Sequence, residues 1–486
     1  MKAFDNKYLK RIVFSIQLIS MMLIMIVAYT IQLIPMKYLI YVGILFVLLL
    51  IGEYFLIFYK KERSKRSLIT QIISMILSCT MVVGAFYIYK TGQVVDLMTE
   101  SKFQKRAISV IVLKDSEIKN QDQLPKHKTG YISAIDSQTM TYVTDEIKKD
   151  IGSIQLKDYK DFTKLVKGLY DKQVDAIILD EAFRSLVEQT DESFSDDTRV
   201  IYQVTKDEAA VSAKNVNVTE KPFLVFVSGN DEYGALSAVS RSDVNMLIGI
   251  NPKTHQILLI SIPRDTYYPL HMNGQLDKFT HAGIYGLQES VNTLQDMINE
   301  DINYYVKMNF TSFINIVDAL GGITVNSPAA FTTKIGKYEI KEGENHLNAK
   351  QALSFVRERK SFVDGDFARG RNQQRMISAI VKKVCSPAIL TSFSAVLDTV
   401  SQSVETNFSS SEINSLVQLQ LSDMPNWDIQ SYQIIGEPNK LPCYSMGGVS
   451  ASVVQPSATS IQQATQYIDA LMSNQKVQTE SGDLNQ

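Results

Sequence analysis

Apolar residues are not spread evenly along this chain. Three long runs crowd its N-terminal end, at about Ile12–Ile34, Tyr38–Tyr59 and Leu68–Tyr89. Each is long enough to cross a hydrocarbon core of ~30 Å as a helix, which takes ~20 residues. Only Pro35-Met36-Lys37 and Lys60–Ser67 separate them. That spacing predicts three transmembrane helices within residues 12–89 rather than buried helices of a soluble core. The first run is long and has no small-residue cleavage site, so it is not read as a cleaved signal peptide. Lys2, Lys7, Lys10 and Arg11 precede the first run, and Lys60, Lys61, Arg63, Lys65 and Arg66 fill the second loop, whereas the first loop holds only Lys37. The positive-inside rule then predicts a cytoplasmic N-terminal tail over residues 1–11. With three spans, everything after Tyr89 lies outside a cell membrane that the chain crosses several times.

Beyond residue 100 the pattern changes to short β-branched runs alternating with helical periodicity, which favours α/β packing. Ile108–Leu113, Ala176–Leu179 and Val200–Val204 read as strands, Glu181–Glu188 as a helix, and Glu192–Asp197 as an exposed loop. Residues 100–215 are thus expected to form a small accessory α/β domain outside the membrane, with no catalytic cluster and a binding or spacer role. A larger, αβα layered domain is expected over residues 221–400, beginning near Pro222. Phe223–Val227, Val244–Ile250 and His255–Ile262 read as strands, and Asn251-Pro252-Lys253-Thr254 as the turn between the last two. Leu287, Val291, Leu294 and Ile298 repeat at helical spacing, as do Phe313, Ile316, Val317 and Leu320, closed by Gly321-Gly322. Further helices are predicted over Ala349–Val356 and Arg369–Val384. Asn407–Ile435 adds a helix and a strand, within a segment 401–472 expected to pack on this domain. Residues 473–486 read as a flexible tail. The fold class is therefore a membrane-anchored α/β protein.

Composition removes several function classes. The 486-residue chain has a net charge of −2, so it lacks the basic field of a nucleic-acid binder. Three cysteines, Cys79, Cys385 and Cys443, make no disulfide framework. The five histidines show no zinc-ligand spacing, and neither a Walker loop nor a G-x-S-x-G elbow appears.

Between Asp231 and Gln374 arginines and carboxylates recur in short motifs: Asp231, Arg241-Ser242-Asp243, Arg264-Asp265, Arg357-Glu358-Arg359 and Asp366-Phe367-Ala368-Arg369. If Asn251–Thr254 make the turn, Ile250 faces His255, Asp243 faces Ile262 and Arg241 faces Arg264. Two facing arginines repel one another unless an anion sits between them. Arg264 follows Pro263 at a strand's C-terminal edge, where open α/β sheets place ligands. On the long helix the apolar stripe Ile377, Ile380, Val381 and Val384 extends backward to Gln373 and Arg369. These polar groups therefore lie on the inward line at a helix N-terminus, a position that favours anions. Asp366 is read as the N-cap or as a site residue at the same mouth. Arg357 and Arg359 share a face only if the helix ends near Val356. Arg241, Arg264, Arg357, Arg359 and Arg369 suit bidentate recognition of phosphate oxygens. Asp231 and Asp243 supply hard oxygen ligands for Mg²⁺, with Mn²⁺ as the alternative. That is the logic of phosphoryl transfer, in which positioning and charge neutralisation do most of the catalysis.

These motifs, with Ser261-Ile262-Pro263-Arg264-Asp265-Thr266, Lys278–Gly286 and Ala352–Arg359, resemble the LytR–CpsA–Psr family of cell-wall enzymes over about Lys221–Ser394. One departure stands in the last motif, where many relatives carry a second arginine before the glutamine; here Asn372 takes that place, with Arg371 one residue earlier. The three spans and extra domain resemble the capsule-associated CpsA branch. The resemblance implies a Mg²⁺-dependent phosphotransferase at the outer face of the membrane. Its donor would be a polyprenyl-pyrophosphate-linked capsular polysaccharide and its acceptor a peptidoglycan hydroxyl, with capsule-assembly proteins as further partners. It implies Arg241, Arg264, Arg357, Arg359, Arg369 and Gln373 for the pyrophosphate and Asp231 and Asp243 for the metal. Arg264, Arg241 and Asp366 would be catalytic, Asp366 as a base or as the group that orients an arginine. A polyprenyl-pyrophosphate phosphatase and a non-enzymatic lipid or glycan sensor remain as rivals. DNA binding is excluded, because the cytoplasmic segments are too short for a groove-reading fold.

Overall fold

The computed structural model describes residues 7–58, 65–99, 104–134, 136–208, 211–231, 239–387, 389, 392–482 and 484. Lys2, Lys60, Lys61 and Arg63, counted above for orientation, lie outside them. The apolar runs form α1 (Lys7–Ile31), α2 (Met36–Phe58) and α3 (Lys65–Thr99), each long and apolar enough to cross a membrane. Their boundaries differ from the runs. Pro35 disfavours helical geometry in the residue before it, and α1 stops at Ile31. The third helix continues past Tyr89 to Thr99. Polar side chains line the seam between the helices, where lipid offers them no partner. Ser78 Oγ donates to Gln17 Oε1 at 2.5 Å, and Ser74 Oγ to Glu53 Oε1 at 2.5 Å.

The accessory domain is a five-stranded sheet built on β1 (Gln104–Leu113), β2 (Lys128–Tyr131), β3 (Gln155–Asp158), β4 (Ala176–Asp180) and β5 (Thr198–Glu208). Its order is β3-β2-β4-β1-β5, with β1 antiparallel to both neighbours. Helices α4 (Ser137–Asp150) and α5 (Phe162–Tyr170) cover it. Arg106 is buried in β1, its Nε 2.5 Å from Asp180 and its Nη1 2.8 Å from Asp136, so the charge is paired as burial demands. Within the segment Glu192–Asp197, expected to be an exposed loop, Phe194–Asp197 forms a short helix, because Phe194 is buried completely in the core.

The larger domain is the αβα sandwich expected. Its central strands are β6 (Phe223–Asn230), β7 (Val244–Asn251) and β8 (Gln256–Ser261), flanked by β9 (Tyr304–Asn309). Along β6 the side chains alternate: Leu224 and Phe226 face one layer, Val225 and Val227 the other. The first layer holds α6 (Leu287–Ile298). The second holds α7 (Phe310–Ala319), α8 (Ala349–Arg357) and α9 (Asp366–Val384), α9 touching the sheet through Ile377 and Val381.

The C-terminal segment does more than pack on this domain. β10 (Glu405–Thr406) pairs with β9, and β11 (Asp428–Gln433) pairs parallel with β8, so both edges of the six-stranded sheet come from it. Between them lies α10 (Ser410–Asp423), and after them α11 (Ala458–Met472) completes the first helical layer, with Leu471 fully buried. The polar tail also differs from expectation up to residue 482: Val477 N–H donates to Gln256 Oε1 at 3.0 Å and Ser431 N–H to the Gly482 carbonyl at 3.0 Å. At the other boundary, Val211 and Val218 are already part of the larger domain's core.

Two sets of contacts tie the parts together. The α1–α2 turn clasps α10: Asn414 Nδ2 donates to the Ile31 carbonyl at 3.0 Å and Tyr38 Oη to the Leu421 carbonyl at 3.1 Å. The accessory domain is joined to the larger one through Tyr285, which packs edge-on against Phe183 and hydrogen-bonds Ser445 at 3.0 Å. All three cysteines are free thiols.

The fold makes α11 structural rather than peripheral. Leu471→Ala should destabilise the larger domain by about 2–5 kcal/mol, the usual range for a fully buried leucine. Denaturant unfolding of the purified chain would measure it, and a change under ~1 kcal/mol would contradict the placement of α11 in the core.

Candidate active site

The hairpin β7–β8 sets the site, and its register differs by two residues from the predicted one. Asn251 stays in the strand opposite Gln256, and its Oδ1 accepts the N–H groups of Lys253 and Thr254 at 3.0 and 3.1 Å. The loop is therefore residues 252–255, closed by His255 in the left-handed region at φ 53°. Continued outward, this register places Asp243, not Arg241, opposite Arg264. Arg264 Nη1 meets Asp243 Oδ1 at 2.6 Å. The expected pair of repelling arginines is instead an ion pair. Arg241 is half-buried and, among the described residues, is not in the wall of the adjoining cavity; residues 232–238 lie outside the described ones.

The C-terminal ends of β6, β8 and β9 and the N-terminal end of β7 share one sheet edge, since β6 is parallel to β9 and antiparallel to β7. Asp231 follows β6, Asp243 precedes β7, Arg264 follows β8 and Phe310 follows β9. Helix α9 presents its N-terminal half to this edge, held by Gln374 Nε2, which donates to the carbonyls of Leu259 at 3.1 Å and Tyr432 at 2.6 Å. Gly370 lets α9 approach closely, because a Cβ there would collide with the Gln433 amide. On α9 Arg369, Gln373, Met376 and Ile377 line one cavity, at the i, i+4, i+7, i+8 spacing of a single helix face. The apolar line drawn from sequence runs true to Val381, but Val384 is exposed. Gly365, at φ 48°, is the N-cap in place of Asp366, which sits in the first turn and pairs with Arg369 Nη2 at 2.8 Å. Helix α8 ends with Arg357, and Glu358 is extended, so Arg357 and Arg359 both reach the cavity.

Arg264, Arg357, Arg359, Arg369, Gln373, Asp231 and Asp243 thus converge on one cavity of about 1340 Å³, its open mouth included. The wall also has an apolar part, made by Val227, Met246, Met308, Phe313, Leu353, Val356, Met376 and Ile377. Sequence reasoning did not locate this apolar half. Its residues belong to six different elements, and each reads as ordinary core. Three contributors were also missed. Phe310 carries the Arg357 guanidinium 4.2 Å above its ring. Lys334 lines the rim, and Glu358 organises it by accepting N–H groups from Lys334 at 2.6 Å and Ser361 at 3.0 Å. Burial alone would raise the Glu358 carboxyl, but those donors hold it below the ordinary value. Of the two residues at the departing position, Arg371 is bound to Asp364 away from the cavity wall, and Asn372 is buried, accepting from Arg375 Nη1 at 3.0 Å.

The electrostatics describe a site crowded with cations. Burial, and then the nearby charges of Arg264 and Arg359, lower the Arg369 pKa despite Asp366 and Asp243. Arg264 keeps a raised pKa: burial would lower it, but Asp243 and Asp265 outweigh that. Its Nε is buried without a hydrogen-bond partner among the described residues, although Asp265 Oδ2 stands 3.8 Å away. An orphan guanidinium N–H at the rim fits an anion's oxygen. Asp231 is half-exposed and 3.4 Å from Arg357 Nη2; burial and the charge of Asp243 raise its pKa. No cluster of three or more His, Cys, Asp or Glu side chains is assembled among the described residues. Two mutually repelling carboxylates fit Mg²⁺, which keeps waters and takes substrate oxygens, better than a closed protein cage.

Residues 188–467 match the LytR_cpsA_psr family. Similar proteins include the "polyisoprenyl-teichoic acid–peptidoglycan teichoic acid transferase TagU" of Bacillus mycoides (strain KBAB4), 36% identical over 209 residues, or 43% of this chain and 67% of that one. The protein of the same name from Bacillus subtilis (strain 168) is 36% identical over 220 residues, or 45% and 66%. The crystal structure of B. subtilis TagV is 26% identical and covers 53% of this chain and 99% of its own, with a TM-score of 0.45.

The raised pKa of Asp231 has a consequence for stability. Below the unfolded carboxylate pKa of ~3.9 both states are neutral at this position and nothing is lost. As pH rises through the higher folded value, the native state must bear a charge it disfavours. Asp231→Asn should therefore raise the unfolding midpoint at neutral pH in the absence of divalent ions, and the gain should vanish below pH ~4. Midpoints followed against pH test this; a lower midpoint for the variant at pH 7 would refute it.

Proposed function

The chain belongs to the LytR–CpsA–Psr family, and from that premise we propose that it transfers a lipid-linked glycopolymer to peptidoglycan as a phosphodiester. The observation that carries this reading is the division of one cavity into a cationic rim and an apolar interior. A pyrophosphate on a polyprenyl chain has the same two halves. The arginines Arg264, Arg357, Arg359 and Arg369 would hold the pyrophosphate oxygens, with Gln373 as a neutral donor. Met246, Met308, Phe313, Leu353 and Met376 would receive the first isoprene units. The names of the relatives support a polyisoprenyl-linked polymer and a peptidoglycan acceptor.

In the proposed reaction an acceptor hydroxyl oxygen attacks the phosphorus next to the sugar, and its proton passes to solvent water. The bond from that phosphorus to the bridging oxygen breaks, and polyprenyl monophosphate leaves. The energy resides in the pyrophosphate, so no nucleotide is needed. Arg264 is placed to neutralise charge that builds on the phosphoryl oxygens, with Asp243 fixing its guanidinium. Asp366, paired with Arg369, takes the orienting role rather than that of a base. Asp231 and Asp243 would hold Mg²⁺ or Mn²⁺, which would supply further charge neutralisation on the pyrophosphate. Arg241 is proposed only as an outer contributor, since it lies off the cavity wall.

Capsular polysaccharide is the polymer we favour, on the resemblance of the three-span anchor and extra domain to the capsule-associated branch. Loop charge supports a cytoplasmic N-terminus and an outward-facing site, which is where peptidoglycan is. Capsule-assembly proteins are proposed as neighbours on the same grounds.

The test uses the full chain in lipid nanodiscs with a polyprenyl-pyrophosphate-linked glycan, peptidoglycan and Mg²⁺. Phosphodiester-linked glycan should form, chelation should stop it, and Arg264→Ala should lower kcat/KM about 10²–10³-fold. Release of free phosphate and unattached glycan alone would favour the phosphatase. Normal transfer by Arg264→Ala would sink the assignment of the site.

A further inference from the structure

A second concavity lies where the accessory and larger domains meet. It measures about 990 Å³ with its open mouth, and the cavity described above does not include its residues. Ala134 and Lys160 of the accessory domain form one wall, and Tyr267, Gln275, Tyr444 and Gly448 of the larger domain the other. Both tyrosine rings are held by their hydroxyls. Tyr267 Oη donates to the Pro442 carbonyl at 2.7 Å, and Tyr444 Oη reaches across the domain boundary to the Ala134 carbonyl at 3.2 Å. Beneath them Asp277 fixes the junction, accepting the Ser445 N–H at 2.7 Å while pairing with His281 at 2.6 Å. The two hydroxyl bonds are exposed, and the Asp277 contacts are buried. Gly448, at φ 84°, lines the groove with open space where a side chain would stand.

The chemistry of the wall selects its occupant. Among the described residues Lys160 is the only charged one lining the groove, which gives it the character of neither an anion cluster nor a metal site. Two tyrosines held by their hydroxyls, beside bare glycine backbone, suit a chain of pyranose rings, which offers apolar C–H faces and hydroxyl edges. Position selects among glycans. Tyr267 lies three residues beyond Arg264, at most about 11 Å along even a fully extended backbone. Arg264 lines the cavity but not the groove, and Tyr267 the groove but not the cavity, so this short segment divides the two. A donor held by Arg357, Arg369 and the apolar interior would fill the cavity side. The side left for the attacking hydroxyl is the groove.

We propose that this interdomain groove binds the acceptor glycan strand and that the accessory domain exists to supply its second wall. The proposal rests on the transferase reading above and adds where the acceptor lies. Ala134 is exposed, so Ala134→Trp would fill the groove without disturbing the core. Two measurements on the full chain in nanodiscs test it: transfer kinetics with each substrate varied, and direct binding of lipid-free peptidoglycan glycan strands. Ala134→Trp should raise the acceptor KM about tenfold or more, leave kcat and the donor KM unchanged, and abolish strand binding. Tyr444→Ala should act in the same direction. An unchanged acceptor KM with normal strand binding overturns the proposal. A raised donor KM alone also overturns it and gives the groove to the donor's own polymer. If even the unmodified chain transfers nothing, the transferase reading fails. Strand binding then decides for the groove by itself: saturable binding lost in Ala134→Trp sustains it, and absent or unchanged binding refutes it.

Discussion

Everything at the sheet edge depends on keeping several guanidinium groups together in a partly dry cavity. Cations brought that close repel, and burial removes the water that would screen them. The interleaved carboxylates resolve this. Asp243 holds Arg264, Asp366 holds Arg369, and Asp231 stands near Arg357. Each pairing stabilises the empty site without satisfying it, since the Arg264 Nε is left over. A ligand with several anionic oxygens can then displace or share these partners at little reorganisation, because the arginines are already in place. If Asp231 and Asp243 hold a divalent ion as proposed, anion and cation would enter as one unit.

That rim is only as firm as the sheet beneath it. Arg264 follows β8, and β8 is bordered on its outer side by β11, which lies far along the chain. Gln374 joins β8, β11 and α9 through two carbonyls, so the register of α9 against the sheet is fixed by a strand about 55 residues further on. The C-terminal segment therefore belongs to the catalytic architecture. It closes the sheet, completes the helical layer with α11 and fixes the helix that carries Arg369 and Gln373.

The three spans, the αβα layering and most of the site were legible because they rest on local signals: length of apolar runs, helical phase and strand ends. Helical phase alone put Arg369 and Gln373 on one face of α9, and both line the cavity. The register was missed because Asn251 could be a turn residue or a strand residue. Only its contacts with Leu471 and Asn474, some 220 positions later, decide that it remains in the strand. The same shift of two residues puts Asp243 in place of Arg241 opposite Arg264. The apolar half of the cavity was not legible at all. A pocket-lining methionine and a core methionine have the same pattern, and what separates them is the space left by elements far apart in sequence.

The anchor and the cavity are physically continuous. The apolar interior shares one cluster with the helix Phe393–Ser403, through Phe313, Leu353 and Met376 on one side and Val396 on the other. That helix packs in turn on α3, while α10 is clasped by the turn between α1 and α2. The larger domain is thus seated on the ends of the spans, and is not suspended from a loose tether. A domain so seated would have its height and tilt above a bilayer restricted. An amphipathic molecule whose tail remains in that bilayer would then meet the arginine rim at a fixed distance, and the entropy of bringing the two together would already be reduced before binding. If the proposed lipid-linked donor is the substrate, the anchor would take part in its selection: the rim by itself would accept many polyphosphates, and the seating would favour those that arrive on a lipid.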